Sequence, residues 1–140
     1  MSSDTLVLAQ LGCGYWGPNL LRNFSALPNS HVKYTVDASA ERRTFVRSNF
    51  PKTEAVESAD TVFNDPAVKA VIVATPAASH FELARRALDS GKHVFVEKPL
   101  ATRAAEFDEL GALAAKHGLV VIVGHTCIYD SSGLLVRAAG

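Results

Sequence analysis

Cysteine is almost absent from this sequence: two in 140 residues, Cys13 and Cys127, without metal-ligand spacing. That excludes a disulfide-stapled secreted scaffold and fits a reducing compartment. An excess of charge is missing too. Fourteen basic residues balance fourteen acidic ones and no dense Lys/Arg run occurs, so the electrostatic footprint of a nucleic-acid or membrane-surface binder is lacking. No apolar run approaches the roughly 20 residues of a membrane helix. The start, MSSDTLVLAQLG, has an acid at Asp4, no basic flank, and an apolar segment too short for a secretory signal. The expected location is the cytoplasm. Repeats and low-complexity tracts are absent as well, and 48% hydrophobic with 20% charged residues is the composition of one folded domain.

What is present is alternation. Five short Val- and Ile-rich runs, LVLAQLG (6–12), VKYTVD (32–37), KAVIVAT (69–75), HVFVEK (93–98) and LVVIVGH (119–125), read as parallel strands covered on both faces. A weaker strand is expected at TEAV (53–56), followed by a short acidic helix or turn over 57–65. Between them, residues 17–27, 39–50, 79–91 and 102–118 carry apolar side chains at helical spacing. Phe24, Phe45, Phe81 and Phe107 fall at core positions of these helices. Ser79 with Glu82 predicts a capping box, and Gly91 and Gly118 fall where helices stop. Alternating strand and helix implies a doubly wound α/β fold with a parallel sheet, whose ligand crevice lies at the carboxyl ends of the strands.

Those ends carry the chemistry. The first strand runs into Gly12-Cys13-Gly14-Tyr15-Trp16-Gly17, a G-x-G-x-x-G motif whose glycines allow a tight turn, close approach of a pyrophosphate and helix–strand packing. Asp37 closes the next strand, where it can accept hydrogen bonds from ribose hydroxyls and repel an added phosphate, so NAD is expected over NADP. Arg42 and Arg43 would soften that preference. Cys13, at a helix N-terminus, is a candidate for mild reactivity but has no base beside it. The loop Thr75-Pro76 to His80 faces the glycine loop across the crevice, with His80 open to either a cofactor contact or a structural hydrogen bond. Lys98 ends the strand before Pro99: either a solvated lip or the group that exchanges a hydroxyl proton during hydride transfer, with Glu97 to orient it. His125 closes the last strand on the same side, with both roles open. His31, His93 and His117 lie away from these loops.

GCGYWGPNLLRNF, TPAASH, SGKHVFVEKPLA and VGHT together resemble the Gfo/Idh/MocA oxidoreductases, named after glucose-fructose oxidoreductase and inositol dehydrogenase. The details GYWGPN and VGHT look most like the branch that acts as nucleotide-sugar 3-dehydrogenases on UDP-linked N-acetylhexosamines. The resemblance implies a Rossmann domain over residues 1–126 and, as the active-site lysine of an E-K-P motif, Lys98. It implies NAD(P) held by Gly12, Cys13, Gly14, Tyr15, Trp16, Gly17, Asp37, Thr75, Pro76, His80, Glu97, Lys98 and His125. No metal is implied.

The resemblance ends where TCIYDSSGLLVRAAG departs from the family's usual helix start. Residues 127–140 are therefore expected to begin a connection to a substrate domain that is not in this chain, and that domain would bind the sugar and build a homo-oligomer. The leading expectation is the cofactor half of a sugar or nucleotide-sugar oxidoreductase, inactive alone. The alternative is a non-catalytic NAD-binding module or an inactive fragment.

Overall fold

The structure, a computed structural model, describes residues 5–14 and 16–124, together with the backbone of 127–129 and 135–137. The apolar runs become strands because a parallel strand covered on both faces needs uninterrupted hydrophobic side chains. In order these are β1 (Leu6–Leu11), β2 (Ser30–Val36), β3 (Glu54–Val56), β4 (Ala70–Val73), β5 (His93–Val96) and β6 (Val121–Val123). Helices α1 (Gly17–Ser25), α2 (Ala40–Asn49), α3 (Asp60–Phe63), α4 (His80–Asp89) and α5 (Ala104–His117) alternate with them. The six strands are parallel in the order β3-β2-β1-β4-β5-β6, so the winding reverses between β1 and β4. Beyond β6 the sheet continues with two short antiparallel strands, β7 (Cys127–Tyr129) and β8 (Leu135–Arg137), a pairing that the apolar pattern did not predict.

The two-residue side-chain period of a strand sorts each one between two cores. Ala9, Leu11, Val71, Val73, Val94 and Val96 face the layer containing Leu88, Leu110 and Ala114 of α4 and α5. Leu8 and Ile72 face the other way, onto Leu21 of α1 and Val46 of α2. Burying one such side chain stabilises by about 1.5–3 kcal/mol. Exposed ion pairs such as Arg86–Asp60, at 2.7 Å, contribute about 0–1 kcal/mol, so the cores set the stability. Phe24 packs edge-on against Phe95 with centroids 5.3 Å apart. Phe45 departs from its expected core position: it is 41% exposed and leans on Phe50, because α2 covers the sheet mainly through Val46.

Local signals hold at some helix ends and fail at one. Gly91 and Gly118 take left-handed φ of 78° and 65° after α4 and α5, conformations that cost other residues a steric clash. The Glu106 carboxylate reaches back to the Thr102 backbone N–H at 3.4 Å at the start of α5. The capping box at Ser79 is not formed. A 3-10 turn over Ala77–Ser79 runs straight into α4, leaving Ser79 in helical conformation with its hydroxyl 2.7 Å from the Pro76 carbonyl and 2.6 Å from the Thr75 hydroxyl.

At the end of the sheet opposite the crevice loops, Asp65 ties β2 to the loop before β4. Its Oδ2 accepts from Lys33 Nζ at 2.6 Å and from the Tyr34 hydroxyl at 2.7 Å, and its Oδ1 from the Ala67 N–H at 2.9 Å. Lys92, buried just before β5, donates to the carbonyls of Asp65 and Val68 at 2.8 and 2.9 Å. Burial pushes the Lys92 ammonium pKa down. Hydrogen bonds from Lys33, Tyr34 and Ala67 hold the Asp65 carboxyl down at about 2. Its pKa lies below the unfolded value, so its stabilisation is present above about pH 4 and is lost as pH falls from there through about 2. Asp65→Asn is expected to cost about 1–2 kcal/mol at neutral pH in denaturant melts. The gap between wild type and variant should close as the melts are taken from pH 4 toward pH 2.

Candidate active site

The site begins with a polar residue where the core is densest. Gln10 sits on β1, fully buried, and its Nε2 donates to the carbonyls of Gly12 and Gly17 at 3.0 and 2.9 Å. One side chain thus closes the glycine turn onto the start of α1. Gly12 has φ 93°, and a Cβ there would lie 2.8 Å from the Ala74 carbonyl oxygen at the end of β4. Glycine is required on both counts. A Cβ on Gly17 would meet the Gly12 carbonyl at 3.1 Å, and one on Gly14 would meet Arg42 Nη1 at 2.7 Å. Pro18 lies in the first turn of α1, where its missing N–H has no partner to lose.

Asp37 follows β2 and leans over this turn. Its Oδ2 accepts from the Cys13 N–H and its Oδ1 from the Ser39 N–H, both at 2.9 Å. Each carboxylate oxygen keeps further acceptor capacity. Arg42 Nη1 donates to the Cys13 carbonyl at 3.1 Å, and Arg43 Nη1 to the carbonyls of Asp37 and Ala38 at 2.9 and 3.0 Å. Cys13 itself turns inward. Its thiol is 3% exposed among Leu21, Val46 and Ile72, and burial, then the Asp37 charge, push its pKa up against the opposing pull of Arg42. The reactivity considered for it is therefore suppressed, because the core takes the side chain and leaves only its backbone at the loop.

Across the reversal point, Thr75 and Pro76 form the opposite wall. His80, 2% exposed, stands between two loops with Nε2 2.6 Å from the Thr75 carbonyl and Nδ1 2.7 Å from the Pro99 carbonyl. Both ring nitrogens face backbone carbonyls, to one of which a neutral ring donates according to its tautomer, so geometry favours the structural role over a polar contact with a ligand. The Pro99 carbonyl belongs to the turn that carries Lys98, whose peptide bond to Pro99 is cis. Lys98 is exposed at the rim. Glu97 does not pair with it among the described contacts; its carboxylate lies where a Cβ on Gly124 would come within 3.3 Å.

These walls enclose one cavity of about 910 Å³. Its lining includes Gly12, Gly14, Trp16, Asp37 and Arg42 from the glycine turn and the β2 side, and Thr75, Pro76, His80, Glu97 and Lys98 from the β4 and β5 side. Cys13 and Gly17 lie behind the loop, and Tyr15 and His125 fall outside the described residues. Two charged lining residues had no role in the sequence reading or only a minor one: Glu57 follows a three-residue strand with no motif around it, and Arg42 lies in an ordinary amphipathic helix. Gln10 was hidden inside an apolar run, where a lone glutamine was the only signal. Among the described residues no group of three or more His, Cys, Asp or Glu side chains could hold a metal, and no helix is long and apolar enough to cross a membrane. The volume lies at the upper end of small-molecule sites, and the glycine turn forms a cradle that any Cβ would fill, so the residues fit a dinucleotide.

Comparison with known proteins agrees. Residues 8–125 match the Gfo/Idh/MocA oxidoreductase family with an NAD-binding Rossmann fold. The chain belongs to that family. It is 35% identical over 139 residues to scyllo-inositol 2-dehydrogenase (NADP(+)) IolW of Bacillus subtilis, covering 96% of this chain and 37% of that protein. It is 30% identical over 130 residues to UDP-N-acetylglucosamine 3-dehydrogenase of Acidithiobacillus ferrooxidans, covering 93% and 40%. The solved structure of GenD2 from gentamicin A biosynthesis, in complex with NAD, superposes with a TM-score of 0.82 at 30% identity over 86% of this chain and 34% of that one. The chain thus spans about two fifths or less of these relatives' length. The family's Rossmann fold is NAD-binding, and the similarity spreads across inositol and nucleotide-sugar enzymes rather than selecting one branch.

Gly12→Ala is expected to cost about 2 kcal/mol or more in a thermal or denaturant melt, from the positive φ and the carbonyl clash together. It should also abolish NADH binding. Energy transfer from Trp16, the one tryptophan, to bound NADH reads this directly, since Trp16 lines the cavity.

Proposed function

We propose that this chain is the cofactor-binding part of an oxidoreductase that moves a hydride between NAD(P) and a hydroxyl or ketone carbon of a sugar or nucleotide sugar. The carrying observation is that Lys98 lines the same cavity as the glycine loop and Asp37. Bound NAD(P) would supply the hydride chemistry at its nicotinamide. The glycine turn and the first N–H groups of α1 hold the phosphates, and Asp37 accepts from ribose hydroxyls. Thr75, Pro76 and His80 shape the opposite wall. Lys98 Nζ, exposed at the rim, donates to or accepts from the substrate oxygen as its charge changes. The relatives that act on scyllo-inositol and on UDP-N-acetylglucosamine support a polyhydroxylated ring as substrate, and the GYWGPN and VGHT spellings favour a UDP-N-acetylhexosamine oxidised at carbon 3.

The substrate surface and the homo-oligomer contacts belong, in this reading, to a further domain outside the 140 residues, in a protein of the cytoplasm. A second reading is a dinucleotide-binding module without catalysis. It is favoured by the described residues, which place a lysine at the crevice but no second proton-transfer group bonded to it. The 140-residue chain alone is expected to bind NADH without sugar-dependent turnover. In a version joined to a substrate domain and active on a sugar, Lys98→Ala is expected to lower kcat about 100-fold or more while NADH affinity changes only fewfold. Unchanged kcat would reject the lysine's role and favour the binding module.

A further inference from the structure

We propose that one water molecule is held behind the glycine turn, bridging Gln10 Oε1 and the Thr35 hydroxyl, and that it positions Gln10 for its grip on the turn. The water site follows from the core alone; only its effect on a dinucleotide rests on the NAD(P) reading above. Gln10 and Thr35 are partners in the parallel register of β1 and β2, which brings them side by side. Ala55 and Ile72 flank them in the same cross-strand row, on the face that packs against α1 and α2. The pair is thus polar within an apolar layer. Neither side chain reaches solvent: Gln10 is 0% exposed and Thr35 1%.

Gln10 Nε2 is fully engaged by the carbonyls of Gly12 and Gly17 at 3.0 and 2.9 Å, which leaves Oε1 on the far side of the amide as an acceptor without a donor. The Thr35 hydroxyl is unbonded too, and despite their register the two oxygens do not bond each other. Among the described residues no other buried side-chain nitrogen or oxygen lacks a partner. Two such atoms at paired positions point to one shared partner, since each alone would be unfavourable in an apolar layer. Water supplies what both lack: it donates to Oε1 and exchanges a hydrogen bond with the hydroxyl in either sense. Packing does not explain the threonine, because valine has nearly its shape, suits a strand as well and carries no hydroxyl to satisfy. The water acts through the amide. Nε2 holds the turn only while Oε1 faces away from it, and a bond to Oε1 fixes that orientation. The Gly12 carbonyl held by Gln10 belongs to the peptide whose N–H, from Cys13, bonds Asp37. That peptide is therefore pinned on both sides, and its tilt aims the N–H groups that follow at a pyrophosphate.

The test is a crystal structure of the 140-residue chain, with calorimetric NADH titrations of wild type, Thr35→Val and Gln10→Glu. Wild type is expected to show one ordered water about 2.6–3.2 Å from both oxygens, and Thr35→Val to lose it. Thr35→Val should also weaken NADH about threefold or more. Gln10→Glu keeps the shape, but once ionised it turns a carboxylate toward the carbonyls of Gly12 and Gly17. Burial favours its neutral form, which still donates one hydrogen bond, so its NADH affinity should fall about tenfold or more between about pH 6 and 8 while wild type stays within about twofold. A purely structural role would move the melt of Gln10→Glu with pH and leave the affinity of the folded protein flat. A wild-type site without water, with Thr35 bonded directly to Oε1, overturns the proposal. Unchanged NADH binding in folded Thr35→Val, or a flat pH profile in Gln10→Glu, overturns the positioning role. If Thr35→Val does not fold, the wild-type density and Gln10→Glu decide between these outcomes. Failure of the folded wild type to bind NADH would overturn the NAD(P) reading and the positioning role with it, while the density still decides the water.

Discussion

The near-contact between the Gly12 backbone and the end of β4 is the constraint on which the site depends. Strand order reverses there, so the loops after β1 and β4 leave the sheet in opposite directions and open a crevice between them. A crevice at that point is useful only if its floor stays narrow. The 2.8 Å that would separate a Gly12 Cβ from the Ala74 carbonyl shows how narrow it is, and the absence of a side chain is what permits it. Gln10 then holds the turn from beneath through two carbonyls. Only the amide nitrogen is bonded; among the described residues the buried Oε1 has no partner, so the loop it shapes comes at the cost of one acceptor that no protein group satisfies.

The two walls of the crevice are held by different means. On the β2 side, Asp37 and Arg42 hold the glycine loop through the N–H and the carbonyl of the same residue, Cys13, while its thiol fills the core below. On the β4 and β5 side, the His80 ring is wedged between the Thr75 and Pro99 carbonyls, so one buried side chain packs against both the β4 loop and the turn that carries Lys98. The lysine is thus exposed but mounted on a braced support. That combination, an exposed amine on a fixed point of attachment, is what the proton-transfer role proposed for Lys98 would require.

Much of the fold was legible locally. Continuously apolar β4 and β5, flanked by amphipathic helices, leave little choice but a parallel sheet covered on both faces, and six strands lie where the runs predicted. Glycine positions were legible for the same reason, since a G-x-G-x-x-G between strand and helix has few other uses. Ser79 was misread because its hydroxyl had better partners in Thr75 and Pro76 once the loop closed. Phe45 was misread because helical spacing tells which residues share a face but not how much of that face the sheet covers.

The sequence by itself determined the alternation of strands and helices, the glycine turn, and the presence of an acid and a lysine at successive strand ends, because hydrophobic periodicity and backbone sterics act over a few residues. Only the tertiary structure decided where side chains inside the loops point. Cys13 into the core, Arg42 over Gly14 and His80 between two carbonyls each depend on neighbours 19 or more residues away or on the packing of whole layers. Such directions follow from which strands lie side by side, and that ordering is settled by burial across the whole sheet rather than by any local stretch of chain.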